Sequence, residues 1–221
     1  MKPILFNTEM VRAILYGRKT CTRRVIKPQP LDKPMSFHDE EDGFCIVCHV
    51  DNEESLNEIL PPYQPGDILY VRETWLRLES CVGCMCDNEP DEQDGCYLYR
   101  ATHGDAEGLR WRPSIHMPKE AARLFLRVTA VRVERLQDIT NEQARSEGCD
   151  GRCNCPSSGA PGSLSCVTMD FSIEKFETVW DSTIPRHPNK FKRYPYYWDD
   201  NPWVWVIDFE RCEKPEAHCD G

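Results

Sequence analysis

Apolar residues recur at three- and four-residue intervals in two stretches of the chain and at two-residue intervals in several others, so short helices among strands are expected. Met10, Val11, Ile14 and Leu15 share a helical face between Thr8 and Tyr16. Asn7 or Thr8 can cap the start of that helix, and Gly17 suits the left-handed position past its end. Thr20–Ile26 follows as a strand, closed by Lys27-Pro28-Gln29-Pro30. The turn Tyr63-Gln64-Pro65-Gly66-Asp67 introduces a strand over Ile68–Trp75, with Leu69, Val71, Glu73 and Trp75 on one face. Tyr97–Ala101 reads as a further short strand, Lys119–Ala122 as a helical turn, and Leu124–Leu136, rich in β-branched residues, as a long strand. Thr140-Asn141-Glu142-Gln143 has capping-box spacing and predicts a short helix ending at Gly148. Ser172 is the expected cap of the next helix, whose stripe of Ile173, Phe176, Val179 and Trp180 is a core face. A basic-aromatic loop, Arg186 to Trp198, leads to a last strand, Trp203–Arg211, with Trp203, Trp205, Ile207 and Phe209 on one side.

Strands outnumber helices and do not alternate with them regularly, which favours an α+β domain, an open or partly closed β-barrel with two or three helices packed at its ends, over a doubly wound sheet. The expected organisation is a single domain over residues 1–212, with surface insertions at about 34–62, 80–96 and 149–166 and a polar tail at 213–221. Within the first insertion, Cys45-Ile46-Val47-Cys48 has a spacing that can ligate zinc, but strand packing is the simpler expectation.

Composition narrows the function. The 221 residues are 40% hydrophobic and carry a formal charge of -10, which argues against indiscriminate binding to a phosphate backbone. The N-terminus has no apolar signal region, and no stretch approaches the roughly 18 apolar residues of a membrane span. A soluble, cytoplasmic protein without membrane contact is expected. Against the acidic background, the six cations Arg12, Arg18, Lys19, Arg23, Arg24 and Lys27 fall between Met10 and Leu31 without one acid. Such a run suits an anionic or polar ligand, with Thr20 and Thr22 as hydroxyl donors.

Thirteen cysteines, an odd number, cannot all pair as internal disulfides, and in a reducing compartment clustered thiols more often hold metal. Cys81, Cys84, Cys86 and Cys96 form one group, and Cys149, Cys153, Cys155 and Cys166 repeat nearly the same layout. Both loops lack the apolar residues for a core of their own, so structural zinc, at one or two sites, is expected to order them. The eight thiols can also pool into one site. Four thiolates leave a zinc ion no open position, so the role is structural, and no organic cofactor is expected.

Lys19 and Thr22 are three apart, and a regular strand would send them to opposite faces. They converge only if the strand starts at Thr20 or later. A threonine hydroxyl needs a base to become a nucleophile, and Lys19 among Arg18, Arg23 and Arg24 is a candidate. The simpler alternative is a basic loop that binds phosphate.

Gly17-Arg18-Lys19-Thr20-x-Thr22-x-Arg24 after a short helix resembles the signature of the ASCH family, a branch of the PUA-like superfamily. Pro65-Gly66-Asp67-Ile68-Leu69-Tyr70-Val71-Arg72-Glu73 is similar to that family's second strand and preceding turn. With Trp111–Lys119 and Asn201-Pro202-Trp203-Val204-Trp205-Val206-Ile207, most of the chain outside the insertions resembles ASCH proteins of phages and prophages. The resemblance implies a PUA-like β-barrel with short packed helices and a cleft for RNA or a modified nucleoside, in a bacterial host cell. It further implies a relation to the N4-acetylcytidine amidohydrolases, whose Lys, Thr and Glu match Lys19, Thr22 and Glu147. In that reaction Thr22 attacks the amide, Lys19 takes its proton, and Glu147 shuttles protons to the leaving nitrogen. Arg18, Arg23 and Arg24 would contact the ligand. A ribonuclease using the same basic cleft, and a phage assembly or regulatory protein that recruits partners through its acidic insertions, are the alternatives.

Overall fold

The computed structural model of the chain describes residues 1–39, 43–50, 55–78, 96–105, 108–152, 170–189 and 192–215. Its elements begin with β1 (Lys2–Leu5), α1 (Thr8–Leu15), β2 (Cys21–Val25), β3 (Met35–Asp39), β4 (Gly43–Cys48) and β5 (Asn57–Ile59). Then come β6 (Ile68–Arg72), β7 (Trp75–Leu78), β8 (Cys96–Tyr99) and α2 (Arg100–His103). The series ends with β9 (Phe125–Arg135), α3 (Asn141–Ser146), α4 (Ser172–Thr183) and β10 (Trp203–Cys212). The architecture is α+β. Its described strands lie in sheets of five, three and two strands, none closed into a barrel. No described helix is long and apolar enough to cross a membrane.

The chain divides into two compact units. The first comprises Met1–Gly17, Gly66–Val128 and Phe209–Gly221, the second Arg18–Pro65 and Thr129–Asp208. In the first, β1 runs parallel to β6, Ile4 opposite Val71, and β6 pairs antiparallel with the start of β9, Leu69 opposite Leu126. Asn7 caps α1 by accepting from the Met10 amide at 2.8 Å. The helix buries Val11, Ala13 and Ile14, as its apolar spacing requires. The strand expected over Ile68–Trp75 is instead two, β6 and β7, and Ala101 falls in α2 where a strand was expected. The reason lies at the break. Glu73 is 1% exposed and both its oxygens are taken by Arg123, at 3.0 and 3.2 Å, while the Arg123 guanidinium sits 4.0 Å over the Tyr99 ring. Trp75, Tyr99, Met117, Ala121, Ala122 and Phe125 form an apolar cluster in the same unit.

In the second unit the first half of β10 pairs antiparallel with β2, an edge strand, placing Ile207 opposite Thr22 and Val206 opposite Arg23. Residues Trp203 to Ile207 are all buried, so this half of β10 is covered on both faces where alternation predicted one. The insertion at 34–62 contains a sheet of order β3-β4-β5. Ile46 and Cys48 of β4 are almost fully buried and Cys45 nearly so, in line with strand packing. The core gathers Leu136, Ile139, Ala144, Phe176, Trp180, Val204 and Val206.

Candidate functional site

Helix α3 sets the site. Thr140 accepts from the Gln143 amide at 3.2 Å and Gln143 Oε1 accepts from the Thr140 amide at 2.9 Å, the reciprocal box its sequence predicts. At the other end the Cys149 amide donates to Ala144 O and the Gly148 amide to Arg145 O, a Schellman closure. That closure puts Gly148 at φ 91°, where a side chain would be strained. Glu147 is therefore fixed as the residue that ends the helix. The terminal carbonyls, which lack helical donors, are met from the stretch before β2: Thr20 N donates to Ser146 O at 2.8 Å, and Lys19 Nζ to Glu147 O at 2.9 Å.

Lys19 is 2% exposed and its ammonium has three acceptors: Glu147 Oε2 at 2.6 Å, Cys21 O at 2.8 Å and Glu147 O. Three acceptors match the three N–H donors that a lysine ammonium offers. The other carboxylate oxygen, Glu147 Oε1, lies 3.4 Å from Arg23 Nη1. Arg23 Nη2 donates to Glu134 Oε2 at 2.9 Å, Glu134 Oε1 accepts from Arg132 Nε at 2.7 Å, and Arg132 pairs with Asp208. Cations and carboxylates thus alternate from a buried lysine outward to a third-exposed aspartate. Burying single charges costs several kcal/mol each. Alternation gives each charge an opposite neighbour, and the fork of Arg23 lets one guanidinium serve two carboxylates. Cys21 lies in the same field: burial, then the Glu147 charge, pushes its thiol up to about 12, against the pull of Lys19 and Arg23.

The strand begins at Cys21, so Lys19 precedes it, as convergence with Thr22 demands. Lys19, Glu147 and Arg23 are brought together. Thr22 is buried, and strand alternation sets it on the face opposite Cys21 and Arg23. Arg24 shares the Thr22 face and is half-buried; burial lowers its pKa, opposed by Tyr63 and Glu147. Arg18 is exposed.

A cavity of about 530 Å³ opens along the β2 edge, and both Arg23 and Arg24 line it. Its other walls include Lys27, Tyr63, Trp180, Tyr194 and Tyr196. These aromatics are held. Trp180 Nε1 donates to Tyr196 O at 2.8 Å, Tyr194 and Tyr196 stack with planes 7° apart, and Lys27 Nζ sits 5.0 Å over the Tyr196 ring. Arg23 Nε is buried without a hydrogen-bond partner among the described residues. A buried donor left unmet costs about 1–3 kcal/mol, a cost the arrangement of Arg23 carries.

Lys19, Arg23, Arg24, Lys27 and Glu147 are apparent in the sequence, whereas the tyrosines and the Glu134–Arg132–Asp208 extension are not. The basic-aromatic composition of Arg186–Trp198 was the available signal for Tyr194 and Tyr196. Trp180, assigned to the core, belongs to both core and cavity.

Of the thiols expected to hold zinc, Cys81, Cys84, Cys86, Cys153, Cys155 and Cys166 lie outside the described residues. Cys96 and Cys149 are both buried. Among the described residues no group of three His, Cys, Asp or Glu side chains is arranged to hold a metal. The base of the second loop is clamped. Gly151 N donates to Ser172 Oγ at 2.9 Å, and the Phe171 backbone packs so close that a Cβ on Gly151 would lie 2.3 Å from it. Ser172 serves in this clamp, bonded to Asp170, and is the first residue of α4, not its cap. Comparison with protein-family models, curated proteins and solved structures found no match.

Proposed function

We propose that this chain is an ASCH-type, PUA-like protein that binds RNA or a modified nucleoside in the cavity beside β2. One observation carries the reading: Arg23, part of the basic motif, both holds Glu147 and walls a cavity of stacked tyrosines, a tryptophan and cations. Aromatic faces and guanidinium planes accept splayed-out bases, while Arg24 and Lys27 suit the backbone phosphates. The chain's overall acidity limits the contact to this patch, so the salt dependence of binding is shallow, about one to three phosphates. The test is fluorescence anisotropy with a short single-stranded RNA. Wild-type protein binds, and Arg24→Ala together with Lys27→Ala weakens binding and flattens the salt slope. Equal affinity in that variant sinks the reading.

A second reading, hydrolysis of an N4-acylated cytidine, is favoured by the 2.6 Å Lys19–Glu147 contact. The first step passes a proton from Lys19 to Glu147 and leaves a neutral amine. The Thr22 hydroxyl, which strand alternation sets on the face opposite Arg23, has to turn towards that amine, which then takes its proton as the oxygen attacks the acyl carbon. Collapse breaks the C–N bond, Glu147 returns its proton to the leaving cytosine nitrogen, and water cleaves the acyl-threonine ester. Incubation with N4-acetylcytidine should release acetate, and Lys19→Ala should abolish it; no release excludes hydrolysis, and unchanged release in the variant excludes this site as its seat, either result leaving binding intact. Structural zinc in the cysteine loops completes the proposal. Elemental analysis should find one or two zinc ions per chain, and a folded, zinc-free protein rules them out.

A further inference from the structure

The first unit holds a cavity of its own, of about 760 Å³, with different chemistry. Its deep wall is apolar: Ala101, Ala122, Leu124 and Phe125 are all buried. Its polar lining is cationic, with Arg12, Arg123, Arg211 and Lys214 against the single carboxylate of Glu120. In a chain of net charge -10, that local balance is the reverse of the whole. Two of the four cations are fixed in place. Arg123 is gripped by Glu73, and Arg12 donates from Nε to Ala101 O at 3.0 Å and from Nη1 to Glu9 at 2.6 Å. Arg211 and Lys214, at and just past the end of β10, are exposed and long enough to close on a ligand. No aromatic cage lines this cavity comparable to that beside β2; Phe125 lies at its floor and Tyr16 at its exposed edge.

We infer that this cavity binds a small organic phosphate, a phosphomonoester whose apolar group lies on Leu124 and Phe125 and whose dianion meets Arg211 and Lys214. A concave, low-dielectric wall concentrates the field of the cations, and two flexible cations match two negative charges. The apolar floor selects an ester over free phosphate, because burying it adds a hydrophobic contribution that inorganic phosphate cannot supply. The inference is independent of the nucleoside reading, since every lining residue belongs to the first unit.

The probe is phenyl phosphate, titrated into the full chain by calorimetry alongside phenol and inorganic phosphate. The expected result is one binding event for phenyl phosphate, tighter than for either fragment. Arg211→Ala with Lys214→Ala should weaken it about tenfold, Arg211→Lys should restore part of the loss, and Tyr196→Ala should leave it unchanged. Arg211 and Lys214 are exposed, so the fold is not at stake in their variants. No heat, equal affinity in the double variant, phenol binding as tightly as its phosphate, or loss in Tyr196→Ala alone would each overturn the inference.

Discussion

Two carboxylates are buried among the described residues, and they are held in different ways. Glu73, in the first unit, meets one guanidinium fork on fork, both oxygens to Arg123 at 3.0 and 3.2 Å. Glu147, in the second, divides its oxygens between Lys19 and Arg23 at 2.6 and 3.4 Å. Arginine does not give up its proton at accessible pH, so the Glu73 pair is a fixed charge couple that suits a frame. Lysine can, and the Lys19–Glu147 contact is the one place of the two where a proton can change owner. The difference teaches that burial alone does not mark a site; the identity of the cation and the geometry of its sharing do.

The comparison is broken most directly by removing one charge from each pair. Glu73→Gln removes the buried charge that grips Arg123 on both sides of its fork and should cost about 3–5 kcal/mol of stability. Glu147→Gln should cost less, about 1–3 kcal/mol, because Lys19 keeps two backbone carbonyls and Arg23 keeps Glu134. Urea unfolding measures both, and the reverse order would contradict the assignment of Glu73 to the frame. For ligand binding the order should invert between the units. Tyr196→Ala, which removes one stacking face, should weaken RNA binding by about 1–3 kcal/mol while barely moving the urea midpoint.

A subtler probe is pH. The Cys21 thiol is pushed up to about 12 in the folded chain from an ordinary value of 9.0, so the folded state holds its proton longer than the unfolded state. That contribution is complete below pH 9 and is lost as pH rises toward 12, at up to ~1.4 kcal/mol per pH unit. Unfolding across that window should show a shallower decline in Cys21→Ala than in wild type; identical slopes would mean that burial, with the Glu147 charge beside it, does not hold the thiol protonated. The smallest effect is expected at the helix cap. Thr140→Ala should cost about 1 kcal/mol and loosen the Glu147 end of α3 without altering Glu73.

Local signals were legible in the sequence. The Thr140 box, the α1 face and the long β9 were read from capping residues and apolar spacing, because each depends on neighbours within a few positions. Lys19 and Glu147 were paired only through a family resemblance; no local rule connects residues 128 apart. The break between β6 and β7 escaped because Glu73 fits the strand pattern by parity, and only its partner Arg123, fifty positions away, explains why a charge sits there. In the first insertion strand packing was legible at residues 45–48, in β4, while β3 and β5 lie in an acidic stretch without clear periodicity. The tyrosine cavity combines β2, the Tyr63 turn and the loop after α4, an assembly that periodicity cannot express.

Amide hydrogen exchange with and without a short single-stranded RNA shows whether the Arg23 wall and its tyrosines receive the ligand. Slowed exchange confined to β2 and residues 192–198 is the predicted result. Protection absent from both, or appearing instead around residues 211–214, would contradict it.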